Sequence, residues 1–340
     1  MTPPVAIGLL LAVNLALAGL VLVLRVRNER TARRRRAIRE EWHPLLVELV
    51  GGDRSAVELQ GRVSSRDTSE VVELIAEFAR RLSGSDREKL LELAAPLVGA
   101  IGGQLHSARP QTRARAVRLL GELAFPAYRP EIVGALDDPS PLVSMLAATA
   151  LSSARAVDDA GRLIARVDRF SAWSPGYLAS LVSAMGPAVS EDARRLLSDR
   201  EAGDRTREVA ARALAILHDG GSADTAASVL EAEDDEEILN SCLRLLQVVG
   251  SARHAAVVRP LVSHPAFSVR ANACTVLGRI GNGTDIEKLR MLIFDESPWV
   301  AIHAAEAVAR LGGTEVLEDL ANGSHERATV AAEAIEGAVA

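Results

Sequence analysis

Apolar residues recur at helical spacing along most of this chain, and they return in one frame every 31 or 32 residues. The best-formed copy lies in residues 268–281, where Val269, Ala273, Val276, Leu277 and Ile280 share a helix face and Gly281 supplies a stop. The copy before it reads Ile238, Cys242, Leu246, Val249, Gly250, and the copy after it Val300, Ala304, Val308, Leu311, Gly312. Earlier copies begin at Thr112, Val143, Ser174 and Thr206, and a degraded one begins near Val330. A second, shorter apolar helix is predicted between frames, as at Ile286, Leu289, Leu292 and Ile293. A glycine turn such as Gly281-Asn282-Gly283 introduces it. An acidic turn such as Asp234-Asp235 or Asp295-Glu296-Ser297-Pro298 follows it and can cap the next helix. A helix–turn–helix unit of this size cannot cover its own apolar face, so neighbours must stack. Small residues at Ala116, Ala147, Ala210, Cys242, Ala273 and Ala304 would let them approach closely.

The start of the chain follows a different pattern. Residues 5–24 carry no charge and hold eight Leu, four Val and one Ile, against the single polar Asn14. Twenty residues at helical rise span about 30 Å, the thickness of a hydrocarbon core. The arginines Arg25, Arg27, Arg30, Arg33, Arg34, Arg35, Arg36 and Arg39 follow the run rather than precede it, the reverse of a cleaved signal peptide. The positive-inside rule then predicts an uncleaved anchor with its N-terminus outside. Gly8, Ala12, Ala16 and Gly19 fall within about 80° of one face, a surface on which the anchor could self-associate. The arginines set topology and suit anionic lipid. Residues 28–50 read as a helix leaving the membrane, and 53–67 as a polar linker. The expected domains are an anchor at 1–27, a basic juxtamembrane helix and linker at 28–67, and a repeat array at 68–340.

Composition sharpens this picture in two ways. Only ten residues are aromatic, so the expected class is all-α. The formal charge is −6, yet residues 25–39 alone carry +7, which leaves −13 for everything else. An acidic body opposes the field of duplex phosphates, so nucleic acid is a poor partner. Cys242 and Cys274 lie in apolar helical frames and read as small buried residues.

Phe267-Ser268-Val269-Arg270-Ala271-Asn272-Ala273-Cys274-Thr275-Val276-Leu277-Gly278 and Ser297-Pro298-Trp299-Val300-Ala301-Ile302-His303-Ala304 resemble HEAT repeats, most closely the short bacterial type of the phycobilin lyases. The resemblance covers about residues 85–340 and implies a right-handed α-solenoid of helical hairpins. It implies a binding surface more than an activity. Membrane-tethered relatives accompany membrane or envelope-building machinery, glycosyltransferases included. The implied location is the bacterial inner membrane, single-pass, with the solenoid in the cytoplasm.

The di-iron hydroxylases of this fold use repeated His-Glu pairs, and here only His325-Glu326 occurs. His43, His106, His218, His254 and His264 lack metal-ligand spacing and read as turn or surface residues. No phosphate loop or nucleophile elbow is present. The expectation is a non-enzymatic scaffold without cofactor that binds a membrane-associated protein. The alternatives are a HEAT-fold enzyme of lyase or DNA glycosylase type, or an anionic-lipid sensor. Candidate partner-binding residues are Arg118, Arg212 and Arg244, which share one frame position, together with Trp173, Tyr177 and Trp299.

Overall fold

Helices account for all the regular structure in the computed structural model, and no β-strand occurs among the described residues. The backbone is described from Pro3 to Val339 except at residues 124 and 325; side chains are described except at 1–16, 20, 24, 27, 28, 124, 125, 325 and 338–340. The chain divides into two units, Met1–Ala135 and Leu136–Ala340. The first holds 20 basic against 15 acidic residues, a net +5; the second holds 19 against 30, a net −11.

In the first unit, α1 (Pro3–Gly51) is one helix through the predicted anchor and the arginine-rich segment. Among the described residues no helix is long and apolar enough to cross a membrane. Most side chains of the apolar run at residues 5–24 lie outside the described ones, and the anchor finds no support there. From Ile38 onward α1 buries Ile38, Trp42, Leu45, Leu46 and Leu49 at helical spacing. That stripe packs on α3 (Thr68–Ala79) and α4 (Gly84–Ala94). Between them, the predicted linker contains α2 (Ala56–Gln60), held by buried Ala56 and Leu59. The unit continues with α5 (Val98–Gly102), α6 (Pro110–Leu123) and α7 (Phe125–Gly134), and α6 packs on α3.

In the second unit, longer helices carry the predicted frames. These are α8 (Pro141–Ser153), α10 (Pro175–Ser183), α12 (Asp204–Ile216), α14 (Glu236–Val249), α16 (Phe267–Ile280) and α18 (Pro298–Arg310). Shorter helices alternate with them: α9 (Ala160–Ile164), α11 (Ser190–Ser198), α13 (Ser222–Ala232), α15 (Ala255–Val258), α17 (Ile286–Leu292) and α19 (Thr314–Ala321). Ala328–Val339 forms α20. Ala147, Ala210, Cys242, Ala273 and Ala304 are all fully buried, as the stacking argument requires. Helix α16 lies so close to α18 that a Cβ on Gly278 would sit 2.7 Å from Ala307 Cα.

Two buried arginines tie successive repeats together. Arg207 and Arg270 each sit one residue after a frame start and reach the acidic turn about 25 residues downstream. Arg270 makes a bidentate pair with Asp295, at 2.9 and 2.8 Å, and also donates to the carbonyl oxygens of His264 and Pro265. Arg207 pairs with Glu233 at 2.6 Å and donates to Leu197 O. Those acidic turns therefore do more than cap helices, although Asp235 does accept from Glu237 N and Ile238 N as expected. His254 is buried rather than exposed. Its Nδ1 accepts from Ser251 N at 3.0 Å, and Asp285, at the same register one repeat on, does the same for Asn282 N.

Candidate functional site

Helix α3 presents its carboxylates as a stripe, Glu70, Glu73 and Glu77, spaced three and four residues apart beside its buried apolar face. Arginines flank that stripe from both sides. From α1, Arg39 donates to Glu77 at 2.8 Å and Arg35 stands 3.5 Å from Glu70. From α6, Arg115 and Arg118 both converge on Glu73, at 2.5 and 2.6 Å, and Arg118 also approaches Glu122 at 3.6 Å. A cavity of about 260 Å³ opens among these groups, lined by Arg35, Arg36, Arg39, Arg80 and Arg118, by Glu70, Glu73 and Glu77, and by Ile38 and Leu74.

The environment separates the carboxylates. Burial pushes the Glu73 carboxyl up, but Arg115 and Arg118 outweigh it and hold it below the usual range. For Glu122 burial wins over Arg118 and Arg80, and its carboxyl is pushed up. Its Oε2 is buried without a hydrogen-bond partner among the described residues, and so is Arg115 Nε on the same helix. A folded value above the unfolded one means that ionising Glu122 opposes folding. Its contribution is present below the ordinary value of about 4.3 and is lost as pH rises through the folded value. Glu122→Gln, which cannot ionise, should therefore lose less stability than the native chain over that rise. Melting temperatures followed from about pH 4 to pH 7 check this, and parallel profiles would contradict it.

The described arginines among those predicted to face lipid divide into three groups. Arg34 donates to Asp67 and to Arg66 O, while Arg35 and Arg39 pair with α3 as above, so these three hold α1 against its own repeat. Arg25 and Arg33 share Glu29. Arg30 and Arg36 are exposed and have no acidic partner among the described residues. The side chain of Arg27 lies outside the described residues, as do Gly8, Ala12 and Ala16 of the small-residue face. A Cβ on Gly19 would meet nothing within 4 Å.

In the first unit, Arg118 is bound up with Glu73. In the second, Arg212 pairs with Glu208 of its own helix at 2.8 Å and Arg244 is exposed. Trp173 and Tyr177 stack at 5.3 Å between centroids, with 38% and 39% of their surfaces exposed. Ser174 caps α10 between them, and Arg205 donates to the carbonyls of Phe170 and Trp173. Leu142, Trp173 and Trp299 occupy one register, the residue before each frame, and all are exposed. Both cysteines are buried and free, their thiols pushed up to about 12 by burial. Among the described residues no group of three or more His, Cys, Asp and Glu side chains is placed to hold a metal. His325 lies outside them.

Repeated hairpins with buried small residues at one register point to a known repeat class. The family model for HEAT repeats matches residues 101–173 and 255–338. No curated protein matches the sequence. Among solved structures, a mutant of Kap121p is similar over 88% of this chain and 42% of its own, at 14% identity and a TM-score of 0.50. The complex of CpcE and CpcF of phycocyanin lyase from Nostoc sp. PCC7120 aligns over 71% of this chain and 94% of its own, at 14% identity and a TM-score of 0.33. An engineered protein aligns over 84% and 78%, at 19% identity and a TM-score of 0.38. This chain spans under half the length of the Kap121p structures it matches. The likeness is one of fold: an all-α chain with HEAT-type helical repeats over the matched residues.

The sequence reading missed the zipper on α3. Its signal was present as acids at positions 70, 73 and 77, a helical stripe without apolar content. Nothing in the sequence said that arginines 38 and 45 residues away would meet it.

Proposed function

We propose that this chain is a scaffold or adaptor that binds a protein partner, without catalysing a reaction. The observation that carries this reading is the exposed Trp173–Tyr177 stack, with Leu142 and Trp299 at the register of Trp173 in other repeats. Large aromatic side chains left in water cost solvation and recur at binding hot spots. The net −11 of the second unit suits a basic partner surface. The charge-free run at residues 5–24, followed by the arginine cluster, supports tethering to the bacterial inner membrane with the repeats in the cytoplasm. We place the partner in membrane or envelope-building machinery, such as a glycosyltransferase.

The test is affinity capture from detergent extract with the full chain and with Trp173→Ala/Tyr177→Ala. The double variant should weaken capture of the specific partner about tenfold or more. Identical captured sets from both proteins would sink the reading. Extraction of the native chain from membranes by alkaline carbonate would refute the tether.

A further inference from the structure

The cavity between α1, α3 and α6 carries more positive charge than its own carboxylates answer. Five arginines and three glutamates line it, an excess of two. Arg35, Arg39 and Arg118 face the three glutamates, leaving Arg36 and Arg80. Arg36 has no acidic partner among the described residues. Arg80 has Glu122, 3.8 Å away, which Arg118 approaches more closely at 3.6 Å, and beyond it, among the described residues, only the more distant charge of Glu77, which Arg39 already pairs. The two loosely matched guanidinium groups come from different helices, α1 and the C-cap of α3, and open on the same void of about 260 Å³.

A guanidinium offers a planar fork that matches two oxygens of one anion. Two forks lining one cavity from separate helices match more oxygens than one carboxylate has, and two excess charges match a phosphate. We propose that this cavity binds a phosphate group, with Arg36 and Arg80 as its direct ligands. The Arg–Glu zipper fixes the walls between which these two side chains stand. The phosphate belongs either to a small soluble ester or to a phospholipid headgroup. The second source requires the membrane tether proposed above, and the first does not.

The experiment uses the full chain in non-ionic detergent, the variant Arg36→Gln/Arg80→Gln, and Arg30→Gln as control. Arg30 is exposed and unpaired but does not line this cavity. Binding of inorganic phosphate at constant ionic strength is measured by calorimetry and by the rise in melting temperature. In a second arm, flotation measures the excess bound to vesicles of phosphatidylcholine with phosphatidylglycerol over phosphatidylcholine alone. Circular dichroism confirms that the variants keep the helical content of the native chain. The expected result is that Arg36→Gln/Arg80→Gln binds phosphate about tenfold more weakly or worse, while Arg30→Gln matches the native chain. Phosphate binding without a vesicle excess assigns the site to a soluble ester. A vesicle excess lost only in Arg36→Gln/Arg80→Gln assigns it to a headgroup. Binding in neither arm overturns the proposal. So does equal binding by native and doubly substituted chains, or an equal loss in Arg30→Gln.

Discussion

Replacing Arg270 by alanine is expected to lower the unfolding free energy by about 3–5 kcal/mol. The arginine is 8% exposed, and Asp295 is its bidentate partner. Removing the guanidinium leaves a buried carboxylate and two carbonyl oxygens, of His264 and Pro265, without their donor. Desolvating a carboxylate that keeps only Ser297 N and the more distant charge of Arg327 costs more than the intact pair contributes. The double change Arg270→Met/Asp295→Leu should therefore recover most of the loss, since it removes both charges and keeps volume. Acid should narrow the gap between native chain and single variant. Burial pushes the Asp295 carboxyl up, but hydrogen bonds from Arg270 and Ser297 N, with the charge of Arg327, hold it below the usual range. A depressed folded value contributes stability above the ordinary aspartate value of about 3.9 and loses it as pH falls through the folded value. Denaturant unfolding of native, single and double variants measures all three effects. A single variant within about 1 kcal/mol of the native chain would show that the pair is not a structural clamp.

Trp42→Ala should cost a similar amount, about 3–5 kcal/mol, and its effect should fall on the first unit. Trp42 is 3% exposed and sits mid-stripe between Ile38 and the buried Leu45, Leu46 and Leu49. The ion pairs Arg34–Asp67, Arg35–Glu70 and Arg39–Glu77 surround this contact but cannot replace it. Their arginines are more than half exposed, and such pairs contribute only about 0–1 kcal/mol each. Neutralising all three arginines should thus cost less than removing the one indole. Amide hydrogen exchange should show α1 near residue 42 losing protection in Trp42→Ala while α14 and α16 keep theirs. Uniform loss in both units, or no loss, would contradict this account.

The frame at 112, 143, 174, 206, 238, 269 and 300 lies in α6, α8, α10, α12, α14, α16 and α18. It was legible because stacking demands the same small and branched side chains at the same register in every copy, and that periodicity survives divergence. The linear pattern gives Arg270 no role, because its partner lies 25 residues away, beyond a whole helix. Arg207 stands at the same register in its repeat, yet nothing in the sequence tells what either arginine binds. The same limit hid the α3 zipper, whose arginine partners in α1 and α6 come from both sides in sequence. The sequence offers Trp173 and Tyr177 as candidate partner-binding residues, but only their stacking and exposure distinguish a surface pair from core packing.

The sequence by itself determined what depends on local spacing: the helices, their apolar faces, the repeat length, the concentration of arginine near the start and the acidic balance of the rest. These follow from side-chain chemistry and a helical period of 3.6 residues. Only the tertiary structure decided which charges neutralise one another. Arg34, Arg35 and Arg39 were spent on α3, while Arg36 and Arg80 were left open to a cavity. A charge's role depends on what stands within about 4 Å of it, and folding sets that distance across separations the linear pattern does not encode.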